Sequence, residues 1–248
     1  MRRLIINADD FGFTRDVNAG IAHAHRAGIL TSTTLMANGE AFEDAVRLAK
    51  ETPTLDIGAH LVLVQGNSLL DGRPLPLGPR QLLPVLARRG LNVYAELKAQ
   101  IQKIVSAGLK ISHLDSHKHT HLVPGVFRTV VKLADEFGIA WVRLPLDTNF
   151  RFANRYYRRF ATGKNVRMTD HFLGFRLTGS LTEATFIAAL EKLESGTTEF
   201  MCHPGYLGDE LKQARTRLKE SRLRELEALT SPRVRKLISE RGIELTPF

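Results

Sequence analysis

The chain has one cysteine, Cys202, one tryptophan, and no apolar run near the 18 residues that a membrane-crossing helix needs. A lone cysteine excludes an internal disulfide framework and fits a reducing compartment; Cys202 reads as a small buried apolar residue, not a nucleophile. Only three apolar residues separate Met1-Arg2-Arg3 from Asn7, too few for the apolar stretch of a secretory signal. Four familiar patterns are missing: a Gly-x-Gly-x-x-Gly after a strand, a phosphate-loop lysine motif, a Gly-x-Ser-x-Gly elbow and a paired Cys-x-x-Cys. Nucleotide binding, serine-esterase chemistry and zinc-finger modules therefore lack support. What remains is ordinary in composition, with 43% hydrophobic and 25% charged side chains, 19 glycines and 10 prolines. A cytoplasmic α/β protein is expected, and 248 residues suit one barrel-sized domain or two small ones.

The net charge of +9 is local. Residues 151–169 hold Arg151, Arg155, Arg158, Arg159, Lys164 and Arg167 and no acid, while 211–241 holds ten Lys or Arg against four Glu. Such blocks are either solvated faces or contacts to an anionic partner, such as nucleic acid, phospholipid headgroups or an acidic substrate. No nucleic-acid motif accompanies them, and no nucleic-acid partner is expected.

Short apolar runs alternate with helical periodicity along the whole chain. Strands are expected at 4–6, 31–36, 57–64, 111–114, 139–144 and 198–201, with a last one at 243–245. Helices are expected near 16–27, 41–50, 92–107, 124–137, 182–194 and over 211–241, and 65–80 is a Gly- and Pro-rich loop. This alternation predicts about seven mostly parallel strands surrounded by helices, closed into an irregular (β/α) barrel or opened into a doubly wound sheet. The long stretch 146–181 lacks periodicity and reads as an insertion in a single domain spanning 1–248. With 64–80, it is expected to shape a substrate cleft. The charged helices at 211–241 are either an outer layer or a homodimer contact.

The ionisable residues cluster at strand ends. Asp9-Asp10 follows the first strand, His60 sits in the third, Asp115, His117, His119 and His121 follow the fourth, Arg143 ends the fifth, and His203 follows 198–201. In parallel α/β folds that edge builds active sites. Neighbouring residues of an extended chain face opposite ways, so one of Asp9 and Asp10 can bind a metal while the other faces a substrate water. If 117–121 is extended, three imidazoles converge. Two histidines and a carboxylate suit zinc or another divalent ion. His203, held by Pro204-Gly205, is a candidate general acid or a buried structural histidine.

Asn7-Ala8-Asp9-Asp10-Phe11-Gly12, Thr31-Ser32-Thr33-Thr34, Gly58-Ala59-His60, His113 to His121 and Met201-Cys202-His203-Pro204-Gly205 together resemble the YdjC-like carbohydrate deacetylases. That group includes chitooligosaccharide deacetylases and deacetylases associated with hopanoid biosynthesis. The resemblance implies an irregular parallel barrel, with Asp10, His60 and His117 binding one divalent metal ion, Mg or Zn. It implies Asp9 as general base and His203 as general acid. His119, His121, Arg143 and Asp115 are then substrate contacts or supports for the ligands and base, and His121 is also a candidate ligand. The implied substrate is an N-acetylated carbohydrate or glycolipid. The rival readings are another metal hydrolase, such as a phosphoesterase, and a non-enzymatic protein that binds anions.

Overall fold

The computed structural model describes residues 1–248, apart from the side chain of Arg151. Strands and helices alternate as β1 (Arg2–Phe11), α1 (Arg15–Arg26), β2 (Ser32–Leu35), α2 (Phe42–Glu51), β3 (Asp56–Leu61), α3 (Pro79–Ala87) and α4 (Val93–Ser106). They continue as β4 (His113–Ser116), α5 (Pro124–Glu136), β5 (Trp141–Val142), α6 (Arg151–Arg158), β6 (His171–Leu173) and α7 (Glu183–Glu191). The chain ends with β7 (Gly196–Cys202), α8 (Asp209–Gln213), α9 (Glu220–Thr230), α10 (Pro232–Glu240) and β8 (Ile243–Leu245).

Every strand pairing is parallel, in the order β5-β4-β3-β2-β1-β7-β6. Crossover helices cover such a sheet, so its strands are apolar on both faces, and β1 is buried continuously from Leu4 to Phe11. β7 takes one edge of β1 along residues 2–8, while β8 and then β2 share the other, at residues 2–4 and 7–11. At the open side, Val142 donates to Arg167 O (2.9 Å) and Arg167 to Ala140 O (2.8 Å), tying β5 to the chain approaching β6. The result is an irregular half-barrel surrounded by helices, which the resemblance implies and which is one of the two architectures that the alternation leaves open.

Three local differences from the sequence reading have physical causes. β1 runs past its apolar residues to include Asp9 and Asp10, whose buried carboxylates are compensated by the guanidinium groups of Arg143 and Arg222. The stretch 146–181 contributes β6, paired in parallel with β7; three residues, His171-Phe172-Leu173, are too few to show a period. α3 begins at Pro79, where the fixed φ of proline favours a first helical turn, directly after the Gly- and Pro-rich loop. The charged 211–241 stretch falls on three helices. Among the described residues no helix is long and apolar enough to cross a membrane.

Candidate active site

The C-terminal ends of β1, β3, β4 and β7 surround a cleft of about 950 Å³. Asp9 and Asp10 enter it from one strand because the β1–β2 register slips between Ala8 and Phe11. Such a bulge re-aims side chains, and Asp10 takes φ +70°, a left-handed conformation that costs about 1–3 kcal/mol. Both carboxylates thus line the same cleft, where an extended chain would have separated them. Asn18 of α1 fixes the turn that follows, accepting from the Gly12 N–H at 2.7 Å.

Three lone pairs meet in this cleft. Asp10 Oδ1 lies 3.0 Å from His117 Nδ1 and 3.3 Å from His60 Nε2, and the two ring nitrogens are 3.3 Å apart. The far side of each ring is engaged. His60 Nδ1 donates to Asp115 Oδ1 (2.7 Å), and His117 Nε2 donates to Gln65 Oε1 (3.0 Å). Neutral rings so oriented turn unprotonated nitrogens toward Asp10, leaving three acceptors face to face with no proton among them. A cation is the group that this set fits. Ligand atoms about 2.1 Å from a zinc-like ion, at angles between octahedral and tetrahedral, lie roughly 3.0–3.4 Å apart, which matches the observed triangle.

The electrostatics call for a positive charge at the same place. Burial disfavours charge on His60, yet Asp115 and Asp9 outweigh it and push the imidazole up to about 10, so that without another cation a proton on Nε2 fills the position between the three atoms. Burial likewise opposes ionisation of Asp10, but Arg222 and His117 hold it well below the usual carboxylate range. Arg222 reaches Asp10 Oδ2 from α9, leaving Oδ1 for the two histidines. Asp9, His60 and Asp115 also bring donor atoms within 4.8 Å of one another, but Arg143 engages both of those carboxylates.

Arg143, fully buried just after β5, is the hub of the negative side. It grips Asp9 with both terminal nitrogens (2.9 and 2.7 Å), reaches Asp115 Oδ2 (2.6 Å), and gives Nε to Glu199 Oε1 (2.6 Å). Burial pushes Glu199 up to about 7 despite Arg143. His203 Nε2 lies 3.8 Å from Asp9 Oδ2, and its backbone N–H donates to Glu225 Oε2 (2.6 Å). Burial lowers His203 to about 4, against the pull of Asp9 and Asp10, and raises Glu225 to about 7. The loop carrying His203 rests on α1 backbone to backbone: a Cβ at Gly20 would lie 2.5 Å from Gly205 Cα.

The histidine triplet does not converge. Residues 117–122 form a 3-10 turn, with Lys118 and His119 in the left-handed region, so alternate residues do not share a side. Only His117 faces Asp10 and His60. His119 lines the cleft edge-on to Phe175 (4.5 Å between ring centres), with Nε2 3.2 Å from Met201 Sδ. His121 turns back to Ser116 Oγ, and burial lowers it to about 3. Sequence reasoning missed Gln65, Glu199, Arg222 and Glu225. Glu199 alone left a signal, as a carboxylate inside an otherwise apolar and threonine-rich strand.

The cleft also takes in the expected loops, through Gln65, Phe175, Arg176 and Thr178, and the link from α8 to α9 adds Arg215, Arg217 and Lys219. A parallel barrel with a buried Asp–His–His cradle at its C-terminal edge defines a class, the barrel proteins built around a candidate metal centre. Within that class the chain belongs to the YdjC-like protein family, whose model matches residues 3–240. It is 37% identical to a carbohydrate deacetylase of Brevibacillus brevis, over 99% of this chain and 98% of that one. It is 33% identical to a chitooligosaccharide deacetylase of Salmonella paratyphi B, over 97% and 96% of the two chains. A crystal structure from Enterococcus faecalis V583, provisionally ascribed to cellobiose-phosphate cleavage, superposes with a TM-score of 0.84 at 29% identity, covering 99% and 97% of the chains.

Proposed function

We propose that this chain is a metal-dependent carbohydrate deacetylase, a hydrolase that removes the acetyl group from an N-acetylated sugar and releases acetate and a free amine. Chitooligosaccharides, N-acetylglucosamine derivatives and glycolipids are the substrate classes in view. The observation that carries the reading is the convergence of Asp10, His60 and His117 lone pairs beside Asp9 and His203 in one cleft. Full-length similarity to named deacetylases supports it.

An acetamide resists hydrolysis because resonance strengthens its C–N bond and neutral water is a weak nucleophile. A divalent ion held by Asp10, His60 and His117, Mg or Zn, supplies Lewis-acid polarisation and a lowered water pKa. Asp9 is the general base. Arg143 fixes its plane through two bonds, so its remaining lone pairs point in a set direction toward the cleft. Asp115 and Gln65 hold the two histidines in the tautomers that a ligand requires. His203 is the general acid that protonates the departing amine. Burial keeps it neutral at pH 7, so the proton it delivers is acquired during turnover, and Asp9 Oδ2, 3.8 Å away, is the nearby source. His119 and Phe175, packed at right angles to each other, line the cleft with ring surface against which a sugar can rest.

The test separates ligand from base. His117→Ala is expected to lose metal binding and acetate release together. Asp9→Asn is expected to keep the metal and lose turnover by about 10²–10⁴-fold. Elemental analysis with acetate release from N-acetylated sugars reads both, and parent-like turnover in metal-loaded Asp9→Asn would remove Asp9 from its role. Hydrolysis of a chromogenic phosphodiester in place of acetate release would favour the phosphoesterase reading.

A further inference from the structure

The deacetylase reading gives no task to the basic block at 151–169. In the structure this block is sorted by face. Asn154 and Tyr157 of α6 are buried, and Tyr157 Oη donates to Leu122 O. On the other side Phe152, Arg155 and Tyr156, with Arg159 at the start of the turn that continues the helix, recur at spacings of three and four residues, all exposed. Phe152 is 94% exposed, with Tyr156 at 45% and Phe150 at 47% beside it. An aromatic ring left this bare on an ordered helix gains nothing from the fold. Arg155 and Arg159 have no acidic partner among the described residues, and residues 151–169 contain no Asp or Glu.

We infer that this face of α6 is a docking surface for an anionic lipid membrane, with Phe152 and Tyr156 entering the headgroup layer and Arg155 and Arg159 meeting lipid phosphates. Charge complementarity selects this occupant. A second copy would set Arg155 and Arg159 against their own images, with no carboxylate from residues 151–169 to neutralise them, because a two-fold contact pairs the same patch with itself. Single-stranded nucleic acid is held in a groove between stacking rings, whereas these rings project outward from a helix. Aromatic and basic side chains along one helix face fit the water–lipid boundary.

The helix is also tied to the cleft. Asn154 Nδ2 donates to Leu146 O (2.8 Å) and Asp147 O (3.4 Å). The Asp147 carboxylate in turn accepts the N–H groups of Phe175 and Arg176 (3.1 Å each), which line the cleft. A membrane held at α6 is therefore two hydrogen-bonded residues from the substrate wall, an arrangement suited to a sugar carried on a lipid. The docking surface itself does not depend on the chemistry of the cleft.

The test is co-sedimentation of the full chain with vesicles of phosphatidylcholine alone and of phosphatidylcholine mixed three to one with phosphatidylglycerol. Thermal melting of each variant serves as the fold control. Binding is expected only to the anionic vesicles and is expected to weaken with salt. Each arginine near such a surface contributes roughly fivefold in partitioning, so Arg155→Glu with Arg159→Glu is expected to reduce binding at least about 25-fold. Phe152→Ser with Tyr156→Ser is expected to reduce it while leaving the salt dependence in place. Absence of vesicle binding overturns the inference, as does binding indifferent to both variant pairs. Tighter binding of a single-stranded oligonucleotide that the same variants abolish, or a dimer that they dissociate, also overturns it.

Discussion

Replacing Asp115 by Asn changes one atom's chemistry and leaves the volume untouched, yet it is expected to dismantle the cation cradle. Asp115 Oδ1 accepts from His60 Nδ1 at 2.7 Å, and Oδ2 accepts from Arg143 Nη1 at 2.6 Å and Thr34 Oγ1 at 3.1 Å. An asparagine has one oxygen and one amino group to offer. Arginine can only donate, so the oxygen must face Arg143, and the amino group then points at His60. To accept from it, His60 must move its proton to Nε2, the atom that lies 3.3 Å from both Asp10 Oδ1 and His117 Nδ1. The nitrogen proposed as a ligand becomes an N–H aimed at the candidate metal position. Loss of such a supporting partner typically costs 10–100-fold in metal affinity, which is about 1.4–2.8 kcal/mol. Competition with a chelator measures the affinity, and nitrogen-15 imidazole spectra report which nitrogen carries the proton. Unchanged affinity, with the His60 proton still on Nδ1, would refute the reasoning.

Two other perturbations probe the buried charges. Arg143→Met strands Asp9, Asp115 and Glu199 without their cation and is expected to cost about 3–5 kcal/mol in urea denaturation; a value within experimental error of the parent contradicts the hub. Glu225, raised by burial to about 7 from an ordinary 4.5, makes stability fall as pH climbs between those values, because the unfolded chain releases its proton first. The fall amounts to about 3 kcal/mol and levels off above pH 7. Glu225→Gln keeps an acceptor for the His203 N–H and is expected to shrink the loss of stability between pH 5 and pH 8. A loss as large as the parent's would show that the Glu225 carboxyl stays ionised in the folded state.

Much of the site was legible because parallel strands end where chemistry is placed. Asp10 and His117 stand just past short apolar runs and His60 lies inside another, so a reader who finds the runs finds the residues. The histidine triplet misled for a specific reason: alternate positions share a side only in extended backbone, and Lys118 and His119 take left-handed conformations that no side-chain pattern announces. Arg222 was invisible in another way. It sits among Arg217, Lys219 and Arg224, and composition does not tell a solvated arginine from the one that folds inward onto Asp10. Glu225 shares that helix and that disguise. β6 escaped because its three residues obtain their strand geometry from pairing with β7 rather than from any preference of their own.

The backbone contact between Gly20 and Gly205 sets a dimension of the enzyme. α1 follows directly on the strand that carries Asp9, the proposed base, and Gly205 lies two residues after His203, the proposed acid, so the pair works as a spacer with no thickness to lose. A methyl group added at Gly20 has only main chain to displace, and it would lever His203 away from Asp9 without touching either. Libraries built to retune this fold for other amides can vary the loops of the cleft, but these two positions belong to the frame that holds His203 3.8 Å from Asp9.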